Sequence, residues 1–393
     1  MSINKEKIKA INVVVIGGIH HNTLGVIRSL GEGGIGKDRI YTLLIGKYTG
    51  KPNIIASSRY ILEKNVIYAE SHDSILEWLQ SLSKDKKKRV IICCSDEASE
   101  VIISNTEKLS KYYYTPSSTI DIKQLMKKDV QDSLATSCGL LTPDSIVITP
   151  GNYYEWDQYP CILKPLKSVI GAGKNDIRIA LTENDLNTML GTIKAQYVQI
   201  QSFISKQFEY QLIGCSLNGG NTIIIPGYTN ILRQPSNTNT GYLEYIPINK
   251  LSYDSKSVQN FIKKIGYSGL FSMEFIRDKS ETDYFLEINM RNDGNAYCVK
   301  SAGINLPLIW CYYCVYGEFP NVPVSFDKVI HFIPDFNDLK VALAQRCFAR
   351  WLIDFFTSNS HSIYNKKDIK PFWIETINQV KKQLLKKNNI NRL

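Results

Sequence analysis

The stretch DYFLEINMRNDGNAY, Asp283 to Tyr297, decides how the rest of the chain is read. Taken with the two-residue period of a β-strand, it places Leu286, Ile288 and Met290 on one face and Glu287, Asn289 and Arg291 on the other. The apolar face belongs in a core. The polar face alternates an acid, an amide and a base, which is either the wet side of a sheet or two oxygen ligands followed by a phosphate clamp.

The segment just upstream narrows the choice. FSMEFIRD carries Glu274, and a KSET turn leads from it into YFLEINMR, so the pair reads as a hairpin. In register, the side chains of Glu274, Glu287 and Asn289 face the same side. Two carboxylates that close in a half-buried sheet repel each other and must be protonated or neutralised. A hard divalent cation meets that need, because Mg²⁺ takes oxygen ligands from carboxylates and an amide and completes its shell with phosphate oxygens. Further upstream, KPLKSVIGAG offers the phosphate half of such a site. Lys164 leaves a strand as a cation, and Ser168, Gly171 and Gly173 lie in a loop whose amides can approach a polyphosphate closely. Lys128, on an earlier helix, is in a position to reach the same phosphates. No GxxxxGK[ST] sequence is present, so this is not a Walker loop.

The remaining chain supplies the frame. VVVIGGIHHNTLGVIRSLGEGG reads as a buried strand, a Gly17-Gly18 turn, and a helix with Leu24, Ile27 and Leu30 on one side. RIYTLLIG, NVIYAE and RVIICC continue the alternation, which predicts a parallel sheet covered by helices over residues 1–112. The first turn lacks the spaced third glycine of a dinucleotide fingerprint, and Gly46-Lys47 stands where an acid would end the second strand. A nicotinamide or flavin site is therefore not expected. A single helix is predicted from Ile122 to Gly139. YVQIQSFISKQFEYQLIGCSL reads as a strand pair around a short turn, and the region after Val322 as one strand, two helices and a basic tail.

Together these pieces resemble the ATP-grasp superfamily, in particular its carboxylate-amine ligases related to the D-alanine-D-alanine ligases and the carbamoyl phosphate synthase large subunit. The likeness runs over residues 12–317, and LEINMR behind SMEF is its most specific part. It implies an α/β (α+β ATP-grasp) fold: a Rossmann-like domain over 1–112 and an ATP-grasp domain over 113–320. The second divides into a lid lobe at 113–200 and a large lobe at 201–320 with the Mg²⁺ site, and a mostly helical segment follows at 321–393. It further implies that Lys128 and Lys164 bind the ATP phosphates, with Ser168 to Gly173 folding over them. Gln201, Phe203 and Ile204 form the adenine hinge, and Glu209 meets the ribose. Glu274, Glu287 and Asn289 hold two Mg²⁺, for which Mn²⁺ would substitute, and Arg291 and Arg233 stabilise the transferred phosphoryl group. Where Glu is common in the superfamily hinge, this chain has Gln201, which keeps an acceptor but loses the charge. The implied activity joins a small-molecule carboxylate to an amine through an acyl-phosphate, releasing ADP and phosphate. The alternative is an ATP-binding sensor or partner subunit without turnover.

Composition fits an ordinary soluble globular protein, with 44% hydrophobic and 21% charged residues in 393. The N-terminus suits neither a signal peptide nor a spanning helix, so a cytoplasmic location is expected. Nine cysteines in mostly apolar strings read as buried thiols, including the Cys311–Cys314 CxxC. Much of the net charge of +10 sits in SKDKKKR and in KKQLLKKNNINR. No interleaved aromatics suggest nucleic acid, whereas the C-terminal run allows weak contact with an acidic membrane surface. A homodimer is compatible with all of this.

Overall fold

The structure is a computed structural model that describes residues 5–152, 154–165, 177–233 and 240–390. Its first sheet is built from the alternating units read above: β1 (Val13–Gly17), β2 (Ile40–Ile45), β3 (Val66–Ala69), β4 (Arg89–Cys93) and β5 (Tyr113–Tyr114). All pair in parallel in the order β3-β2-β1-β4-β5. Strands buried on both faces must be apolar throughout, and β1 and β4 are fully buried along their lengths. The crossover helices start where the sequence caps them. Ser71 forms a capping box with Ser74, and the His20 ring accepts from the Asn22 N–H at the head of His21–Glu32.

Four strands form the second sheet: β6 (Ser145–Ile148), β7 (Cys161–Pro165), β8 (Arg178–Ala180) and β9 (Val198–Ser202), in the order β6-β9-β7-β8 and antiparallel. The third is larger: β10 (Lys206–Leu217), β11 (Thr222–Ile224), β12 (Gly227–Arg233), β13 (Tyr242–Pro247), β14 (Gly269–Asp278), β15 (Asp283–Asn289), β16 (Ile330–Ile333) and β17 (Ser360–His361). Its order is β15-β14-β10-β12-β13-β16-β17, with β11 on β10. On one side the helix Ser255–Lys264 buries Val258, Phe261 and Ile262 in a core with Phe271, Phe275 and Phe285. On the other, the helix Leu306–Tyr316 lies against the first sheet, where the Trp310 indole donates to the Ile91 carbonyl at 3.2 Å.

Four local expectations change. β9 and β10 are consecutive but do not pair: each joins a different sheet, so residues 203–205 cross from one sheet to the other. The single helix over Ile122–Gly139 is two, Ile122–Leu125 and Lys128–Ser137, because Lys127 turns to extended backbone between them. A bulge follows Glu274 in the β14–β15 pairing. Phe285, Ile288 and Met290 therefore face the core, while Leu286 moves to the other face. After Val322 two strands extend the large sheet, with the helices Asp335–Ala344 and Phe348–Thr357 between them and the helix Lys370–Ile390 after them.

Candidate active site

The hairpin brings its acids together as its pattern anticipates. Glu274 on β14 and Glu287 on β15 are direct cross-strand partners, and Asn289 lies opposite Ser272 two residues along. The Asn289 amide nitrogen bridges the two carboxylates, 3.3 Å from an oxygen of each. Burial, with Glu287 and Asp293 alongside, pushes the Glu274 carboxyl up to about 8. For Glu287, burial is outweighed by Lys128, whose Nζ stands 3.1 Å away, and by the Asn289 amide, so its carboxyl lies below the ordinary value. One acid therefore holds a proton while its neighbour is ionised, as expected for two carboxylates in one dry site.

Several residues that the sequence reading did not single out hold this pair. Gln211 on β10 donates to Glu274 at 3.0 Å and accepts from Asn295 at 2.8 Å. Gln131 is buried in the helix that starts with Lys128, accepts from the Ile288 N–H at 2.9 Å and donates to the Leu125 carbonyl at 2.7 Å. It thus completes the open edge of β15 with a side-chain amide and fixes the Lys128 helix against it. Asp293 accepts from Ser272 and from the Asn295 N–H, adding a third buried acid within reach of Arg291.

The second sheet supplies a cation. Lys164 on β7 donates to the Gln201 side-chain oxygen on β9 at 2.5 Å. Burial, and then the charge of Lys128, push its ammonium down to about 8. Asp132, one turn along the Lys128 helix, accepts from Gln199 at 3.1 Å, and burial lifts its carboxyl to about 6. Gln201 is buried; Phe203 and Ile204 follow in the crossing between sheets, Phe203 being exposed. Glu209 is bonded to Lys206 and lines a small cleft with Gln211, Ile231, Glu274 and the displaced Leu286. Ser168, Gly171 and Gly173 lie outside the described residues.

Arg291 and Arg233 part company. Arg291 emerges beside Asn289, donates to its side-chain oxygen at 3.1 Å, and reaches Asp96, in the helix that follows β4, at 2.7 Å. Arg233 was expected at the phosphoryl group, but it is buried at the end of β12. It forms a two-bond pair with Asp338 and a further bond to Asp354, both in helices after β16. Its fork is satisfied by these carboxylates, so the structure gives it a structural setting instead of bringing it to Glu274 and Glu287.

No protein-family model matches the chain, and no curated protein does. Solved structures do match. N5-carboxyaminoimidazole synthetase from Staphylococcus aureus aligns at a TM-score of 0.60 and 16% identity, over 88% of each chain. L-amino acid ligase from Bacillus licheniformis aligns at 0.58 and 14%, over 79% of this chain and 74% of that one. The biotin carboxylase domain of the Hydrogenobacter thermophilus 2-oxoglutarate carboxylase, solved with MgADP and bicarbonate, aligns at 0.58 and 18%, over 81% and 73%. The chain has the ATP-grasp fold.

Within the ATP-grasp frame the donor chemistry can be tested against a metal. Among the described residues no group of three His, Cys, Asp or Glu side chains stands assembled for an ion. The candidate set is two carboxylates and an amide oxygen, and the amide nitrogen now faces the acids. The set still fits a hard cation, because two paired carboxylates and an amide are the kind of oxygen donors such an ion takes. Arg291 is close enough for its charge to act on His20, which stands next to His21 in the turn after β1. The rings of His20 and His21 lie 3.9 Å apart, and the His21 Nε2 is buried with no hydrogen-bond partner among the described residues. A Cβ added to Gly294 would come within 3.4 Å of that nitrogen and of the Thr240 hydroxyl. Asn22 binds the turn to this strand exit through a two-way amide pair with Asn292.

Proposed function

We propose that the chain is an ATP-dependent carboxylate-amine ligase working through an acyl-phosphate. The observation that carries the reading is the Glu274–Glu287–Asn289 cluster facing Lys128 and Lys164, with Arg291 at its far end. Lys128 and Lys164 would bind the ATP phosphates, and the Gln201–Ile204 crossing and Leu286 would enclose adenine. Glu209 would take the ribose hydroxyls. Glu274, Glu287 and Asn289 would hold Mg²⁺, which when bound neutralises the polyphosphate and polarises the γ-phosphoryl group.

Arg291 sits between these ligands and the histidine turn, so a substrate carboxylate placed there would face the γ-phosphorus. Its planar fork suits the charge that moves onto the transferring oxygens. His20 uses Nδ1 to accept from Asn22, which leaves Nε2–H as a donor toward the acid. The carboxylate oxygen attacks the γ-phosphorus, the bond to the bridging oxygen breaks, and ADP leaves. The amine then displaces phosphate from the acyl carbon and gives up a proton as the amide forms. Water must stay out of the site, since it would compete with the amine.

The test is a screen of carboxylates, bicarbonate among them, against amines, reading ADP release and the mass of the product. Amide formation lost by orders of magnitude in Glu287→Ala, with the circular dichroism unchanged, supports the reading. Tight ATP binding without ADP release from any pair would favour a sensor instead. Near-normal ligase activity of Glu287→Ala would sink the metal assignment.

A further inference from the structure

We infer that the helix Lys370–Ile390 is a docking face for an anionic phospholipid surface. Its inner side is anchored at the start: Pro371 is buried, and the Phe372 ring packs 5.4 Å from those of Phe336 and Tyr364. Its outer side carries Trp373, Ile377, Val380 and Leu384, which are 57%, 48%, 51% and 58% exposed. Steps of four, three and four residues put them on one stripe. On the neighbouring helix, Phe356 is 81% exposed, while Phe355 next to it packs against Phe372. Lone exposed apolar residues are ordinary, but a continuous stripe marks a contact surface.

Charge selects the occupant. Residues 366–393 hold Lys366, Lys367, Lys370, Lys381, Lys382, Lys386, Lys387 and Arg392 against Asp368 and Glu375, so eight less two gives +6 of the chain's +10. Asp368 is sealed in an ion pair with Arg28 and offsets nothing at the surface. Lys366, Lys367, Lys370, Lys381 and Lys382 are all exposed, and Lys370 and Lys381 flank the stripe. A second copy of the chain would set +6 against +6. Nucleic acid would use the lysines and leave the stripe wet. An anionic bilayer takes both: the stripe enters the headgroup boundary, and the lysine stems extend along it to the phosphates.

Flotation of the 393-residue protein with phosphatidylcholine vesicles, with and without phosphatidylglycerol, tests this. Recovery with the anionic vesicles that falls as salt rises is expected. Ile377→Glu/Leu384→Glu should abolish it while circular dichroism and ATP binding persist. Lys381→Gln/Lys382→Gln should weaken partitioning by roughly tenfold or more. The inference is overturned by equal recovery, or none, on the two vesicle types, or by binding that survives the double glutamate variant. A dimer that Ile377→Glu dissociates, seen by ultracentrifugation, would give the stripe to a second copy and overturn it too.

Discussion

Lys164 shows how a single residue tunes the site to its ligand. Its ammonium is buried beside Lys128 and titrates near 8, well below the ordinary lysine value. Below that pH it is protonated and offers a charge-assisted bond to a phosphate; above it the amine is neutral. ATP affinity, measured by calorimetry, should therefore fall as pH rises through about 8, by roughly tenfold or more. Lys164→Met should bind weakly at every pH and lose the step, and a flat wild-type profile across that range would remove Lys164 from the phosphates. Arg291 and His20 permit similarly pointed tests. Arg291→Lys replaces a fork by a point charge and should cut turnover more than ATP affinity. His20→Asn keeps an oxygen to cap the helix but removes the Nε2 donor, so the melting temperature should hold while the KM for the acid rises. An unchanged KM would leave His20 as a cap only.

At the scale of elements, the site depends on the fit of the Lys128 helix to β15. Gln131 makes that fit by standing in for a missing strand neighbour, satisfying the Ile288 N–H and the Leu125 carbonyl. Gln131→Leu leaves both groups buried and unpaired, and should cost about 1 to 3 kcal/mol in urea unfolding. It should also weaken ATP binding, since Lys128 loses its mooring; unchanged stability would show that the helix is held some other way. The same contacts explain what the sequence could and could not show. The acids of β14 and β15 were legible because period-two alternation and a short turn fix their register locally. The Leu286 displacement was not, because a bulge breaks the period without leaving a turn residue to mark it. Gln131 and Gln211 escaped because each has a partner in a distant segment, Ile288 and Glu274, and a polar residue in a helix or strand reads alone as solvated. For the same reason β9 and β10 looked like a hairpin: only pairing with remote strands assigns them to different sheets.

At the scale of the whole molecule, the C-terminal segment returns to the elements around the first sheet through a buried ion pair. Arg28 lies in the helix that begins at the histidine turn, and it donates to the Asp368 carboxylate at 2.9 Å and to the Ile363 and Asp368 carbonyls. Asp368 also accepts from the Ser58 hydroxyl at 2.7 Å and the Arg59 N–H at 2.8 Å, and neither charged side chain is more than 1% exposed. Charge patterns in the sequence could not announce this pair, because 340 residues separate its members. Desolvating two ions costs nearly as much as their attraction returns, so the pair as a whole contributes little net stability, whereas either charge left alone is expensive. Asp368→Ala should therefore lower unfolding free energy by about 3 to 5 kcal/mol, and the Arg28→Met/Asp368→Leu double variant should recover a large part of it. Because the Arg28 helix also presents His20 and His21, the single variant should raise the KM for the acid more than that for ATP. A wild-type urea midpoint for Asp368→Ala would show that the segment is held elsewhere. A double variant as damaged as the single one would show that the hydrogen bonds to Ser58 and Arg59, and not the charge balance, make the closure.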